Sequence, residues 1–171
     1  MRRSIGYCLI ISVIIVFFSS TIGFAADALY RLMHNDHDAL VVGTVTKLEG
    51  DTITVVVKKQ LISSKDLNFS SPKRQIPIKG TIIIKGVKEY ALFHGTDAME
   101  GRPKKGDYVL ASLKKGGRGF KNAWGVFKTD SNNYRTLNIL YPEASSSYTK
   151  MDAAAIKAFV NSNGKKFCPS P

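Results

Sequence analysis

Two β-branched runs joined by a three-residue turn set the frame for everything else in this chain. Leu40-Val41-Val42-Gly43-Thr44-Val45-Thr46-Lys47 is apolar and branched, Glu49-Gly50-Asp51 is a turn signal, and Thr52-Ile53-Thr54-Val55-Val56-Val57-Lys58 puts Ile53, Val55 and Val57 on one face. Side chains branched at Cβ are stiff and pack well on a pleated surface. Two such runs across a short Gly-Asp connection predict a β-hairpin.

More strands of the same kind follow. Thr81 to Lys85, Asp107 to Leu113, Asn122 to Lys128 and Tyr134 to Leu140 are predicted as strands three to six, with Pro142 ending the last. Lys114-Lys115-Gly116-Gly117-Arg118-Gly119 and Asp130-Ser131-Asn132-Asn133 are predicted turns. Residues 59–79 are polar and rich in Ser and Pro and are predicted as a long exposed loop with room for a short edge strand. Residues 88–106 suggest a helical turn leading into a loop. Leu29, Leu32 and Met33 have helical spacing and predict a short helix over 27–38. A closing helix is predicted over 150–163, with Thr149 and Asp152 as a capping pair, Ile156, Phe159 and Val160 as its apolar stripe, and Gly164 as its stop.

Sequential strands with short turns predict a mostly β fold, a small antiparallel barrel of OB-fold type with an added strand at 134–140 and a C-terminal helix. Closing the sheet removes its exposed edges. Gly43, inside the first strand, lets that strand bend sharply enough to serve both sides of a barrel.

The chain opens with a secretory signal pattern. Arg2 and Arg3 are the charged region, Leu9 to Phe18 the apolar one, and Gly23-Phe24-Ala25 the small-residue cleavage site, so residues 1–25 are predicted to be removed. The competing reading is an uncleaved anchor over Ile5 to Ala26, which has roughly the 20 residues that a span needs. Cleavage leaves 26–171 as a single domain of 146 residues, enough for a core of its own, secreted or held at the envelope. Losing two arginines takes the net charge from +12 to +10. That balance suits an anionic polymer or surface as partner. Cys168 is then the sole cysteine, so no intrachain disulfide staples the fold.

Asp38-Ala39-Leu40-Val41-Val42-Gly43-Thr44-Val45, followed by Asp51 to Lys59, resembles the opening of exported OB domains of the netrin-like and metalloproteinase-inhibitor group. Lys105-Gly106-Asp107-Tyr108-Val109-Leu110 and Ala123-Trp124-Gly125-Val126-Phe127 are similar to stretches in small exported proteins of Gram-positive bacteria. The resemblance implies an OB barrel and transfers no functional residue, because the inhibitors bind their target's metal through an N-terminal cysteine and this chain has none near its expected mature start.

No catalytic constellation emerges. His94-Gly95-Thr96-Asp97 has no activated nucleophile to serve, and there is no Gly-x-Ser-x-Gly, P-loop or dinucleotide glycine pattern. Nothing calls for a cofactor. His34-Asn35-Asp36-His37-Asp38 makes His34 and His37 the only metal-ligand candidates, and one short segment rarely builds a closed site. The basic turn carries the strongest binding signal. Lys114, Lys115 and Arg118 supply charge beside Lys121, while Phe120 and Trp124 offer rings for stacking. In an OB barrel this turn joins strands four and five, a ligand-binding loop. A second basic stretch, Lys65 to Arg74, reads as a solvated loop. The sequence therefore predicts an exported binding module for an anionic envelope polymer or surface through Lys114, Lys115, Arg118 and Trp124, with nucleic acid disfavoured by export. The alternatives are a protein-interaction or inhibitor domain with a largely apolar contact, using Phe69, Tyr90, Phe93 and Tyr141, and a metal-dependent enzyme using His34 and His37.

Overall fold

The computed structural model describes residues 25–34, 36–61, 76–87, 103–141 and 147–166. The elements are α1 (Ala25–Met33), β1 (Ala39–Glu49), β2 (Thr52–Leu61), β3 (Thr81–Lys85), β4 (Tyr108–Gly116), β5 (Gly119–Thr129) and α2 (Ser147–Asn161). The strands close into a barrel in the order β1-β2-β3-β5-β4. Every neighbouring pair is antiparallel except β3 and β5, which run parallel. This is the OB order that the strand spacing predicts.

β1 is the strand that closes the barrel. It pairs with β2 along its length and with β4 over residues 39–44. Its register against β2 slips between Val42 and Gly43 and again between Val45 and Lys47. A Cβ at position 43 would lie 2.4 Å from the Val56 carbonyl oxygen and 2.6 Å from Val55 Cγ1. Glycine is what lets the two backbones approach at this bend.

Two apolar clusters share the same strands. Ala39, Val41, Val45, Ile53, Val55, Ile82, Ile84, Val109, Ala111, Leu113 and Val126 fill the barrel. Leu40, Val42, Leu110, Trp124 and Phe127 point outward and are covered by α1 and α2 through Leu32, Ile156, Phe159 and Val160. Stretches of β1, β4 and β5 are thus buried on both faces. That is why Leu40 to Val42 and Val109 to Leu113 read as continuous runs and not as alternating patterns. Each large side chain buried this way contributes about 1.5–3 kcal/mol of transfer free energy, so the helices add to the stability of the barrel as well as capping it.

Ser112 resolves a local conflict between β4 and β5. Ala111 pairs with Val126 and Leu113 with Asn122, so Ser112 faces three residues of β5. The buried Ser112 hydroxyl accepts from the backbone N–H groups of Trp124 and Gly125, both at 2.9 Å, and donates to the Gly125 carbonyl at 3.0 Å. Groups lost to the ladder are satisfied by one side chain.

Several sequence expectations shift. No sixth strand forms among the described residues. Segment 134–140 turns and makes one isolated bridge, Thr129 to Ile139. Its alternating Leu137 and Ile139 are buried as they would be in a strand, but the Asp130 carboxylate accepts from both the backbone and the side-chain N–H of Asn138 in place of a ladder. The helix expected over 27–38 is Ala25–Met33. The closing helix begins at Ser147, so Thr149 and Asp152 lie inside it and not at its cap. It ends with Asn163 at φ 52°, whose N–H reaches the Val160 carbonyl while that of Gly164 reaches Phe159. Asn163 takes the first left-handed position and Gly164, at φ 83°, the second, so the stop expected at Gly164 forms with Asn163 sharing it.

β2 continues through Leu61, and its Gln60 amide clamps the backbone of Ile76 and Ile78, both at 2.9 Å. Ile78 is buried, so this end of the expected exposed loop belongs to the barrel. Among the described residues no helix is long and apolar enough to cross a membrane.

Candidate anion-binding surface

The β4–β5 hairpin is longer than its sequence suggests. Lys114 and Lys115 belong to β4, and the turn itself is Gly117-Arg118. Gly116 pairs with Gly119 across it. Gly117 has φ 56°, and Arg118 is not among the residues of positive φ. A positive φ confined to the first loop position is the pattern of a type II′ turn, which matches strand twist and needs glycine there.

Register places the cations. Lys121 of β5 lies opposite Lys114 of β4 and opposite Lys85 of β3. Ile84 and Phe120, which alternate with Lys85 and Lys121, pack with the barrel core, so the lysines point outward. Strands lie about 4.8 Å apart, so Lys114, Lys121 and Lys85 form a row spanning roughly 10 Å across three strands. A Cβ on Gly116 would meet the Lys121 stem at 3.0–3.4 Å, which shows that this stem lies over Gly116 toward the turn. Arg118 is exposed at the tip of the hairpin; Lys115 is also exposed, but it lies opposite Phe120 and so on the other face of β4 from the row.

These cations are not equivalent. The Lys114 ammonium pairs with Asp36, which also accepts from Arg31 Nε at 2.7 Å. Partial burial pushes the Asp36 carboxyl up, but the hydrogen bonds and charges of Lys114 and Arg31 outweigh it and hold its pKa below the ordinary 3.8. Lys114 is thus largely neutralised and ties β4 to the segment after α1. Among the described residues, the side-chain cations of Lys85, Lys115, Arg118 and Lys121 make no ion pair with a carboxylate, although the Lys115 backbone N–H donates to the Asp38 carboxylate at 2.7 Å. The acidic turn at Glu49 to Asp51 lies at the same end of the sheet, where Val87 N–H donates to the Asp51 carbonyl. Its acids have local partners: Glu49 pairs with Lys47 at 2.7 Å, and Asp51 accepts from the Thr52 hydroxyl at 3.0 Å.

Trp124 does not belong to this surface. It is 3% exposed, between the barrel and the helices, 5.9 Å from the Phe127 ring. Its indole Nε1–H donates to Nδ1 of the buried His37 at 3.3 Å. The extra residues opposite Ser112 shift the alternation of β5, so Ala123 and Trp124 are both drawn into the outer cluster. Phe120 turns into the barrel. The expected stacking rings are therefore absent from the hairpin's outer face.

His34 and His37 are not brought to one site. α1 ends at Met33; His34 is exposed, stacked on Tyr30 with ring centroids 3.8 Å apart, and donates from Nδ1 to the Tyr30 carbonyl. His37 is buried against Trp124. Among the described residues no cluster of three or more metal-ligating side chains occurs. His94 to Asp97, Lys65 to Arg74, Phe69, Tyr90, Phe93, Cys168 and nearly all of the signal segment lie outside the described residues. Tyr141 is exposed and lines an open groove of about 190 Å³ with Asn138, Lys150, Ala153 and Lys157. That is small beside the roughly 300–1,000 Å³ of a usual ligand pocket.

Compared with known protein families and with curated proteins, the chain matches none. The chemistry of the hairpin surface is thus the guide to what it does. Clustered cations attract and hold anions. Lys85 is the residue that the sequence reading missed. Its signal was present in the OB order, which sets the end of strand three beside the start of strand five.

Proposed function

We propose that this chain is an exported binding module, without catalytic chemistry of its own, that holds an anionic envelope polymer or surface on Lys85, Lys115, Arg118 and Lys121. The observation that carries the reading is Lys121 with a lysine opposite it on each side. Like charges directly opposite one another in a sheet destabilise it, typically by a few tenths of a kcal/mol to about 1 kcal/mol. Only one of the three has a carboxylate partner among the described residues. Such a cost is offset when an anionic partner arrives. Export rests on Arg2, Arg3, the apolar run and Gly23-Phe24-Ala25.

The test is expression of the full chain in a bacterium that secretes it, N-terminal sequencing, and recovery with envelope fractions at low and high salt. A mature start at Ala26 and release by high salt are the expected results. A chain that keeps Met1 and stays in the cytoplasm refutes export, and retention unaffected by salt refutes the electrostatic contact.

A second reading has its own observation. Val56 and Ile83 are 43% and 51% exposed on the outer face of β2 and β3. A protein partner docking there would bind with little salt dependence, and Val56→Ser with Ile83→Ser would abolish it.

A further inference from the structure

Resting on the anionic-partner reading, we infer that the partner is a linear polyanion without bases, a chain of phosphate or carboxylate groups on a non-aromatic backbone, and not a lipid surface or a nucleic acid. The cations are arranged as a line. Lys114, Lys121 and Lys85 run across three adjacent strands, with Arg118 at the hairpin tip beyond them; Lys115 stands at the same end on the other face of β4. A chain of closely spaced anions laid across the strands meets successive cations, whereas a single small anion meets one or two.

The projecting turn favours such a polymer over the other polyanionic partners. A peripheral membrane contact combines cations with aromatic or aliphatic side chains that enter the interface. The protruding turn is Gly116-Gly117-Arg118-Gly119, with no such side chain, and the next residue, Phe120, packs into the barrel; the exposed Ile83 and Val56 lie on the flat outer face of β3 and β2 beside Lys85, set back from the part that projects. Single-stranded nucleic acid is held on aromatic platforms as well as cations. Trp124 is buried under the helices and Phe120 packs into the barrel, so among the described residues neither ring of the hairpin is presented to a base. Charge without stacking or insertion is what a base-free polymer requires.

The full chain is titrated with long-chain inorganic polyphosphate, tripolyphosphate, oligo(dT) of matched charge, and phosphatidylglycerol-containing vesicles, alongside the Lys85→Gln/Lys121→Gln double variant. Long polyphosphate is expected to bind far more tightly than tripolyphosphate. Removing both lysines should weaken that binding roughly tenfold at low salt and lower the slope of log K against log salt by about 2. The variant should melt at the same or a higher temperature, since the opposed charges are gone. Vesicles or oligo(dT) bound as tightly per anion as polyphosphate would overturn the base-free polymer while leaving the anionic-partner reading in place. Absence of binding to every probe at low salt overturns that reading itself. A double variant that binds normally, or that loses binding only with loss of fold, overturns the assignment to Lys85 and Lys121.

Discussion

The indole N–H of Trp124 donates to Nδ1 of His37 at 3.3 Å, joining the middle of β5 to a residue two positions before β1. Indole can only donate, so Nδ1 of His37 carries the lone pair in the folded state. The bond is buried, between the barrel and its helices. His37→Leu leaves the indole N–H without its acceptor and should cost about 1–3 kcal/mol. His37→Gln, which keeps an acceptor, should cost less. Trp124 is the chain's single tryptophan, so denaturant titration followed by its fluorescence checks both variants directly.

Ser112→Ala should be more damaging than its size implies. The substitution removes one hydroxyl but strands two backbone donors, of Trp124 and Gly125. Each buried unsatisfied donor costs about 1–3 kcal/mol, so a loss of about 2–6 kcal/mol is expected. Hydrogen exchange should also quicken at those two amides ahead of the rest of β5.

The same bulge explains what could and could not be read from the residue order. The β1–β2 hairpin was legible because its branched residues and Gly-Asp turn agree with the structure they adopt. The barrel order followed from short turns and from Gly43. The side on which Trp124 lies was not legible. Strand alternation assumes an unbroken register, and Ser112 opposing three residues breaks it. The Lys114-Lys115 pair read as turn because polar runs beside glycine usually are, whereas the ion pair to Asp36 and the Lys115 N–H to the Asp38 carboxylate at 2.7 Å keep both in β4. Lys85 required a neighbour relation that arises only when the barrel closes.

Gly43→Ala tests the bend that lets β1 serve both β2 and β4. A methyl group placed 2.4 Å from the Val56 carbonyl oxygen must push backbone, which yields less than a side chain does. Overpacking of this kind costs about 1–3 kcal/mol. By contrast Gly119→Ala, whose nearest contact would be 3.4 Å, should be close to neutral by the same melting measurement.

Asp152 and Asp36 should respond to pH in opposite directions. Burial raises the Asp152 carboxyl above 3.8. In the folded state it holds its proton to a higher pH than in the unfolded chain, so stability is lost as pH rises from 3.8 through the folded value. Asp152→Asn should therefore stabilise the protein at neutral pH, with the gain vanishing below pH 3.8. Urea midpoints at pH 3 and pH 7 measure this.

Asp36→Asn separates stability from binding. The carboxyl is held below 3.8 by Lys114 and Arg31, so its stabilising effect is present above that pH and is lost as pH falls through the lower folded value. The variant should unfold more easily at pH 7 and lose that difference in strong acid. It also releases Lys114 into the row with Lys121 and Lys85. A freed third cation should tighten polyphosphate binding and steepen the salt slope by about 1. A variant that is less stable yet binds its polymer more tightly is the signature expected of a surface that holds like charges together for use. Weaker binding by Asp36→Asn would instead mean that the Lys114–Asp36 pair shapes the hairpin, and that the row does not act through its summed charge.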